Sequence, residues 1–273
     1  MMSLLSVENV SFSYKKDVPA LKNISFTVEN GEHIALIGPN GSGKTTLFNL
    51  LAGFTRPLIG NIKLTGSNVR TFSPPERAKY IALVPQGVKI NFPYTCLETV
   101  LMGLHPYQRQ IQPESRQALQ TAQTIMEQTD VWHLAAQGVT EISGGELQRV
   151  LLARALLQVL PTGWIGTGPP AQGRRLLLLD EAFSSLDIAA RIKMMKLLNT
   201  LRALHCLTII GIHHDMYMAF RFTQRILALS KGFLVADGKP DAVGNEDFFA
   251  QVFSVHAEIL PGKGFLFVDT KDP

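Results

Sequence analysis

From Leu4 to Tyr14 apolar and polar residues alternate, the period of a strand with one buried face, and Ile24–Val28 does so again before a turn at Glu29-Asn30-Gly31. Two such strands predict an antiparallel flap. His33–Ile37 is a short, nearly unbroken apolar run and predicts a buried strand, whereas Leu47–Ala52 has the spacing of a helix with one apolar side. Gly60–Gly66 and Lys79–Pro85 predict two more strands. From Tyr94 the texture becomes helical: Thr95–Leu104 carries a stripe of Leu97, Val100, Leu101 and Leu104, and Glu114–Gln128 carries Leu119, Ala122 and Met126 on one side. Val131–Ala136 is a shorter piece, and Val150–Gln158 is a nearly all-apolar helix. Pro161–Gly173 is rich in proline and glycine without any period, which predicts a loop.

The alternation then resumes. Leu176–Leu179 predicts a fully buried strand, Ile188–Leu204 a helix whose inner side is Met194, Met195, Leu197, Leu198 and Leu201, and Leu207–Ile212 a second buried strand. A helix starts at Met216–Arg221, and Arg225–Val235 and Gly264–Val268 are late strands flanking a helix at Glu246–Phe253. This order predicts an α/β fold: a mostly parallel sheet with flanking helices, an N-terminal antiparallel β subdomain, and a helical insertion of roughly sixty residues. The expected organisation is one domain over 1–273, with 1–93 and 159–273 forming the core and 94–158 the helical subdomain.

Between the strand at His33–Ile37 and the helix at Leu47 lie Gly38, Pro39, Asn40, Gly41, Ser42, Gly43, Lys44, Thr45 and Thr46, which fit the phosphate-loop pattern G-x-x-x-x-G-K-[ST]. Glycines let successive N–H groups point inward around a polyphosphate, and the helix N-terminus adds partial positive charge. Lys44 can reach the β- and γ-phosphates, and the Thr45 hydroxyl can complete a Mg²⁺ shell. A strand before and a helix after the motif predict a nucleoside triphosphate site.

Five other places carry candidate chemistry. Tyr14 ends the first strand, where it is either an ordinary sheet aromatic or a ring that stacks on a purine. Gln86 follows a strand and is either a solvated strand end or an oxygen donor to a metal ion or an attacking water. Ser143-Gly144-Gly145 opens the apolar helix, as an N-cap or as a second anion-binding nest. The leucine strand ends in Asp180-Glu181, at the C-terminal edge where α/β sheets place ligands. Asp180 would hold Mg²⁺ and Glu181 would polarise water. The next buried strand delivers His213-His214-Asp215 to the same kind of edge. Adjacent residues there point oppositely, so a contact with phosphate from one of them is favoured over a paired metal site.

Composition narrows the classes. Apolar residues make up 46% and charged residues 18%, which excludes a disordered chain. No run of about eighteen apolar residues is present, as a spanning helix would require. Met1–Ser6 has neither a basic start nor a long apolar stretch, so no signal peptide is expected. Cys96 and Cys206 lack metal spacing and suggest a reduced, intracellular chain. A net charge of +4 permits a polyanionic ligand or a membrane surface but demonstrates neither.

Taken in order, these motifs resemble those of the ATP-binding-cassette (ABC) ATPases over essentially the whole chain. Tyr14 resembles the adenine-stacking aromatic, Gly38–Thr46 the Walker A loop, and Gln86 the Q-loop glutamine. Ile142-Ser143-Gly144-Gly145-Glu146 is similar to the signature, I-S-G-G-E where L-S-G-G-Q is commonest. Leu176–Asp180 with Glu181 resembles Walker B and the catalytic glutamate, Ser185-Leu186-Asp187 the D-loop, and His214 the switch histidine. The resemblance implies ATP and Mg²⁺, with Glu181, His214 and Gln86 as catalytic residues. Tyr14, Gly38–Thr46, Ser143–Gly145 and Asp187 would contact ATP, and Thr45, Gln86 and Asp180 the metal. It further implies a head-to-tail dimer of two copies with ATP sandwiched between them, the Ser143–Gly145 nest of one closing on the phosphates held by the other. Position 182 departs from the family in being Ala where Pro is usual.

Asn91–Thr95, Glu98-Thr99-Val100, Met102–Pro106 and the tail from Val252 to Val268 are similar to importer ATPases serving iron-siderophore, haem and cobalamin permeases. Some haem and cobalamin importer ATPases also carry an extension like Pro161–Gly173. That branch implies two integral membrane permease subunits, a substrate-binding protein reached through them, peripheral attachment at the cytoplasmic face of the inner membrane, and no nucleic acid partner. The alternative is a non-transport cassette such as an iron–sulfur assembly scaffold ATPase. A DNA-maintenance cassette would carry a long coiled coil, and none is legible.

Overall fold

The computed structural model describes residues 3–15, 18–87, 90, 92–108, 115–160, 174–260 and 264–268. Two compact units share the chain: Met1–Val69 with Ile210–Pro273, and Arg70–Ile209. The helical stretch expected at 94–158 lies inside the second.

The first unit opens with strands β1 (Leu5–Lys15), β2 (Val18–Val28) and β3 (His33–Ile37), helix α1 (Lys44–Leu51), and strands β4 (Ile59–Leu64) and β5 (Ser67–Asn68). The predicted flap is a four-stranded antiparallel sheet in the order β2-β1-β4-β5, registered through Leu5↔Val28 and Leu5↔Leu64. β2 starts at Val18 rather than Ile24, because its first three residues bury nothing and so carry no hydrophobic period. Pairs Lys15↔Val18 and Ser13↔Pro19 make them strand all the same.

The second unit begins with α2 (Pro74–Ala78), which periodicity missed because none of its residues is buried. Its signal was in the capping box instead: Ser73 and Glu76 bond reciprocally, with proline in the first turn. β6 (Ile81–Val84) follows, then α3 (Cys96–Leu101), capped by Thr95 with Glu98. The helix predicted to run to Leu104 changes to a 3-10 helix at Met102–Tyr107, which contains Pro106. α4 (Arg116–Gln128), a 3-10 turn at Trp132–Leu134, α5 (Gly144–Val159), β7 (Leu176–Asp180) and α6 (Ile188–His205) complete it. A Cβ on Gly103 would stand 2.4 Å from the Arg154 carbonyl of α5, so the 3-10 helix packs on α5 at backbone contact. β6 and β7 are parallel, with Ile81↔Leu176 and Val84↔Leu179, and both end at the same edge.

β8 (Thr208–Ile212) crosses the division between the units. Thr208 N–H donates to Arg175 O in the second unit, and just past the strand His213 N–H donates to Leu36 O in the first. The first unit then continues with α7 (Met216–Phe222), β9 (Arg225–Ser230), β10 (Phe233–Gly238), α8 (Pro240–Val243), α9 (Glu246–Phe253), β11 (His256–Leu260) and β12 (Gly264–Val268). β3 and β9 are parallel, with Ile34↔Arg225 and Ile37↔Ala228. The single strand expected at Arg225–Val235 is a hairpin. Lys231 and Gly232 both take positive φ, 51° and 84°, the two-residue turn that matches strand twist. Beneath β3 and β9, Ala35, Ile37, Ile226 and Ala228 meet Phe248 and Phe249 of α9. Phe265 of β12 closes on Phe249 at 4.7 Å between ring centroids.

Candidate nucleotide site

In the first unit the loop from Gly38 to Gly43 runs where side chains do not fit. Gly38 has φ 144°, and a Cβ there would stand 2.0 Å from the Leu229 carbonyl of β9. Gly43, at φ 104°, would place its Cβ 2.7 Å from the Ala20 carbonyl and from Leu21 Cδ2 of β2. Helix α1 starts at Lys44 with no side-chain cap and no acid in its first turn. Its N-terminal dipole is thus left to an anion. Lys44 is buried and donates to Gly38 O at 2.8 Å and Pro39 O at 3.0 Å, which holds the ammonium over the loop. Ser42 Oγ is buried without a hydrogen-bond partner among the described residues. Leaving a buried hydroxyl unpaired costs about 1–3 kcal/mol, and a phosphate oxygen is the ligand atom that would relieve it.

Around this loop, Asn40, Gly41 and Thr45 are exposed and Pro39 is half-buried, while Thr46 is buried with its Oγ1 3.2 Å from the Tyr14 hydroxyl. The Tyr14 ring is 67% exposed and braced edge-on by Phe12, with centroids 4.9 Å apart. Tyr14 is thus exposed and tied through its hydroxyl to the phosphate loop.

His213 and His214 point oppositely, as an extended strand end requires. His214 is exposed at the edge, and Asp215 caps α7 by accepting from Met218 N–H. His213 is buried, with Nε2 unpartnered among the described residues, and its ring lies over Gly211, where a Cβ would be 2.5 Å from that nitrogen. Burial, with help from His33, pushes the His213 pKa down to about 3 from 6.5, so the imidazole is neutral. Between those two pKa values the unfolded chain binds a proton that the folded chain refuses. Stability therefore falls as the pH drops from 6.5 towards 3 and is insensitive to this group above that window. At about pH 4 the loss is on the order of 3 kcal/mol. His213→Gln is expected to flatten the dependence of Tm on pH between about pH 4 and 7, measured by thermal unfolding.

In the second unit the parallel ends of β6 and β7 bring Gln86 beside Glu181. Gln86 Nε2 donates to Glu181 Oε2 at 2.5 Å, across 95 residues of sequence. Glu181 has φ 49°, in the left-handed region, and its carbonyl accepts from Ser184 N–H. Non-glycine residues in that region cost about 1–3 kcal/mol and concentrate at functional sites. Asp180 is buried at the strand end. Within this unit Gln86 and Asp180 offer an amide oxygen and a carboxylate, oxygen donors of the kind a hard cation such as Mg²⁺ takes. Among the described residues no cluster of three or more His, Cys, Asp and Glu is placed to hold a metal.

Ser143 is an N-cap in its own chain. Its Oγ accepts from Glu146 N–H, and its N–H donates to Glu146 Oε2 at 2.7 Å. Hydrogen bonds to the Glu146 carboxyl from the Ser143 side chain, and then from its backbone N–H, hold that carboxyl below the usual range. Ser143 and Gly144 nevertheless remain exposed at the start of a 16-residue helix. Asp187 caps α6, accepting from Ala190 N–H at 2.8 Å. Gln148, to which sequence reasoning assigned nothing, accepts from both the N–H and the hydroxyl of Ser185. No local signal marks it, since it reads as one more polar residue in the first turns of the helix. The loop Pro161–Gly173, Asn91 and part of the loop from Gly87 to Pro93 lie outside the described residues.

The family described as ABC transporter matches residues 21–161. The hemin import ATP-binding protein HmuV of Rhodopseudomonas palustris is 36% identical over 259 residues, 95% of this chain and 94% of that protein. HmuV of Hahella chejuensis is 34% identical over 241 residues, 88% of this chain and 89% of that protein. Among solved structures, a metal-chelate type ABC transporter in an inward-facing conformation is similar with a TM-score of 0.78 and 26% identity, over 98% of this chain and 97% of that one. A dimeric ATP-binding cassette in a post-hydrolysis state with ADP and Pi is similar with a TM-score of 0.72 and 25% identity, over 86% of this chain and 98% of that one.

Proposed function

The chain belongs to the ABC transporter ATPases, and from that premise we propose that it is the ATP-hydrolysing subunit of a membrane importer for a metal chelate of the iron-siderophore, haem or cobalamin kind. The observation that carries this is 36% identity to a hemin import ATP-binding protein across 95% of the chain. The importer-like residues Glu98-Thr99-Val100 and Met102–Pro106 support it, as does the similarity to a metal-chelate type transporter.

Phosphoryl transfer asks mainly for positioning and for neutralisation of charge. In this reading the Gly38–Thr46 backbone and Lys44 hold the phosphates, with Tyr14 stacked on the adenine. Mg²⁺, held by Thr45, Gln86 and Asp180, would neutralise charge on the phosphate oxygens. Glu181 orients and deprotonates the attacking water, and His214 holds the γ-phosphate. The Ser143–Gly145 nest and Asp187 of a second copy close over the nucleotide, and hydrolysis lets the two copies part. No helix among the described residues is long and apolar enough to cross a membrane. The transport path is therefore assigned to two permease subunits, with this chain attached peripherally at their cytoplasmic side.

Affinity capture of the chain from detergent-solubilised membranes of its host tests this. Recovery of an integral membrane protein in equal amount is the expected result. A chain that always comes out alone, however gently the membranes are dissolved, sinks the importer reading.

A further inference from the structure

Three hydrogen bonds tie α5 to the segment that follows Glu181. Gln148 Oε1 accepts from the Ser185 hydroxyl at 2.6 Å and from the Ser185 N–H at 3.3 Å, and Gln148 Nε2 lies 3.5 Å from Ser184 Oγ. One turn earlier on the same helix, Gly145 packs against this segment. A Cβ on it would be 3.3 Å from both Ser185 O and Leu186 Cδ2, whereas Gly144 has nothing within 4 Å.

The segment is fixed at both ends. Ser184 N–H donates to Glu181 O, Leu186 N–H donates to Phe183 O, and Arg191 Nη2 donates to Leu186 O at 2.9 Å. Asp187 then caps α6. One side chain thus joins the start of α5, which carries Ser143–Gly145, to a tied turn that begins at Glu181 and ends at Asp187.

We propose that Gln148 is a positioning residue that makes Ser143–Gly145 and Ser185–Asp187 move as one body, so that both segments of one copy engage the nucleotide together. The proposal rests on the ATP-sandwich reading, in which both segments contact ATP held by the second copy. The physical requirement is simple. Two segments that must arrive at one ligand in register lose less on closing if they are already locked to each other. Two donors converging on a single acceptor also set what each substitution removes. Glu at 148 keeps the acceptor for Ser185, Leu at 148 removes it without weakening the helix, and Ala at 185 removes one of the two donors.

The test is steady-state hydrolysis and ATP-dependent dimerisation of the full chain carrying Gln148→Leu, Gln148→Glu, Ser185→Ala, or Gln148→Leu with Ser185→Ala. Gln148→Leu is expected to lower kcat roughly tenfold, the net worth of the Gln148 hydrogen bonds felt in the closed state. Binding of a fluorescent ATP analogue to the monomer, which involves Tyr14 and Gly38–Thr46, should not change. Ser185→Ala should show a smaller loss, Gln148→Glu should retain most of the turnover, and the double variant should be no worse than Gln148→Leu. Turnover of Gln148→Leu within about twofold of the parent, or losses that multiply in the double variant, would overturn the coupling. If Gln148→Leu does not fold, an equal kcat for Ser185→Ala and the parent overturns it instead. Ser143→Arg separates the two levels: normal dimerisation in that variant removes the sandwich reading itself. A defect there alongside a normal Gln148→Leu removes only the coupling.

Discussion

Glu181→Gln is expected to lower ATP turnover by about a hundredfold to ten-thousandfold, the range for removing a general base. It should leave nucleotide binding intact and let the dimer accumulate in Mg²⁺-ATP. The geometry separates chemistry from scaffolding. Glu181 follows β7 with φ 49° and accepts from Gln86 Nε2. A glutamine has nearly the same shape and still offers an oxygen to that N–H, so the strand end and its turn persist while the negative charge and the basic site are lost. Phosphate release and size-exclusion chromatography with and without Mg²⁺-ATP check both halves. Hydrolysis at the parental rate would show that another group orients the water, and the assignment at β7 would have to be redrawn.

Gly38→Ala should be the most damaging single-methyl change in the phosphate loop, and Gly41→Ala a mild one. At Gly38 the added carbon would lie 2.0 Å from the Leu229 carbonyl and 2.9 Å from Ser42 Oγ, at φ 144°. The carbonyl belongs to a strand in the sheet and cannot step aside. Overpacking of about 1–3 kcal/mol adds to backbone strain of similar size. A loss of about 4 kcal/mol takes a large share of the 5–15 kcal/mol that holds a typical domain, and corresponds to a fall in Tm on the order of 10 °C. Gly41 also has positive φ, 76°, but nothing within 4 Å, so only the strain of about 1 kcal/mol applies. Thermal unfolding followed by circular dichroism measures the contrast. Equal Tm values for the two variants would mean that the loop does not run against β9.

How legible the molecule is depends on how local each signal is. β3, α9 and β12 have the limits that apolar runs and helical spacing predict, and β7 runs one residue past its leucines to Asp180. The phosphate loop stands between β3 and α1 because glycines, lysine and threonines in that register leave the backbone little choice. The errors have one cause. The first three residues of β2 and the whole of α2 bury nothing, and periodicity sees only what is buried. The hairpin β9–β10 was read as one strand because Lys231-Gly232, the two residues that reverse the chain, lie between apolar runs on both sides.

By itself the sequence determined the class of site: a phosphate loop, two acidic residues at a buried strand's end, a capped helix at Ser143, and a histidine pair after another strand. Each is set by neighbours a few residues apart, which is the range over which propensity, capping and glycine geometry act. The tertiary structure decided what those parts do to one another. Tyr14 meets Thr46 across 32 residues, Gln148 meets Ser185 across 37, and Gln86 meets Glu181 across 95. It also decided that His213 turns inward over Gly211 while His214 faces out. Strand register and helix packing set such pairings, and these answer to the burial summed over a whole unit rather than to any stretch of chain that can be read alone.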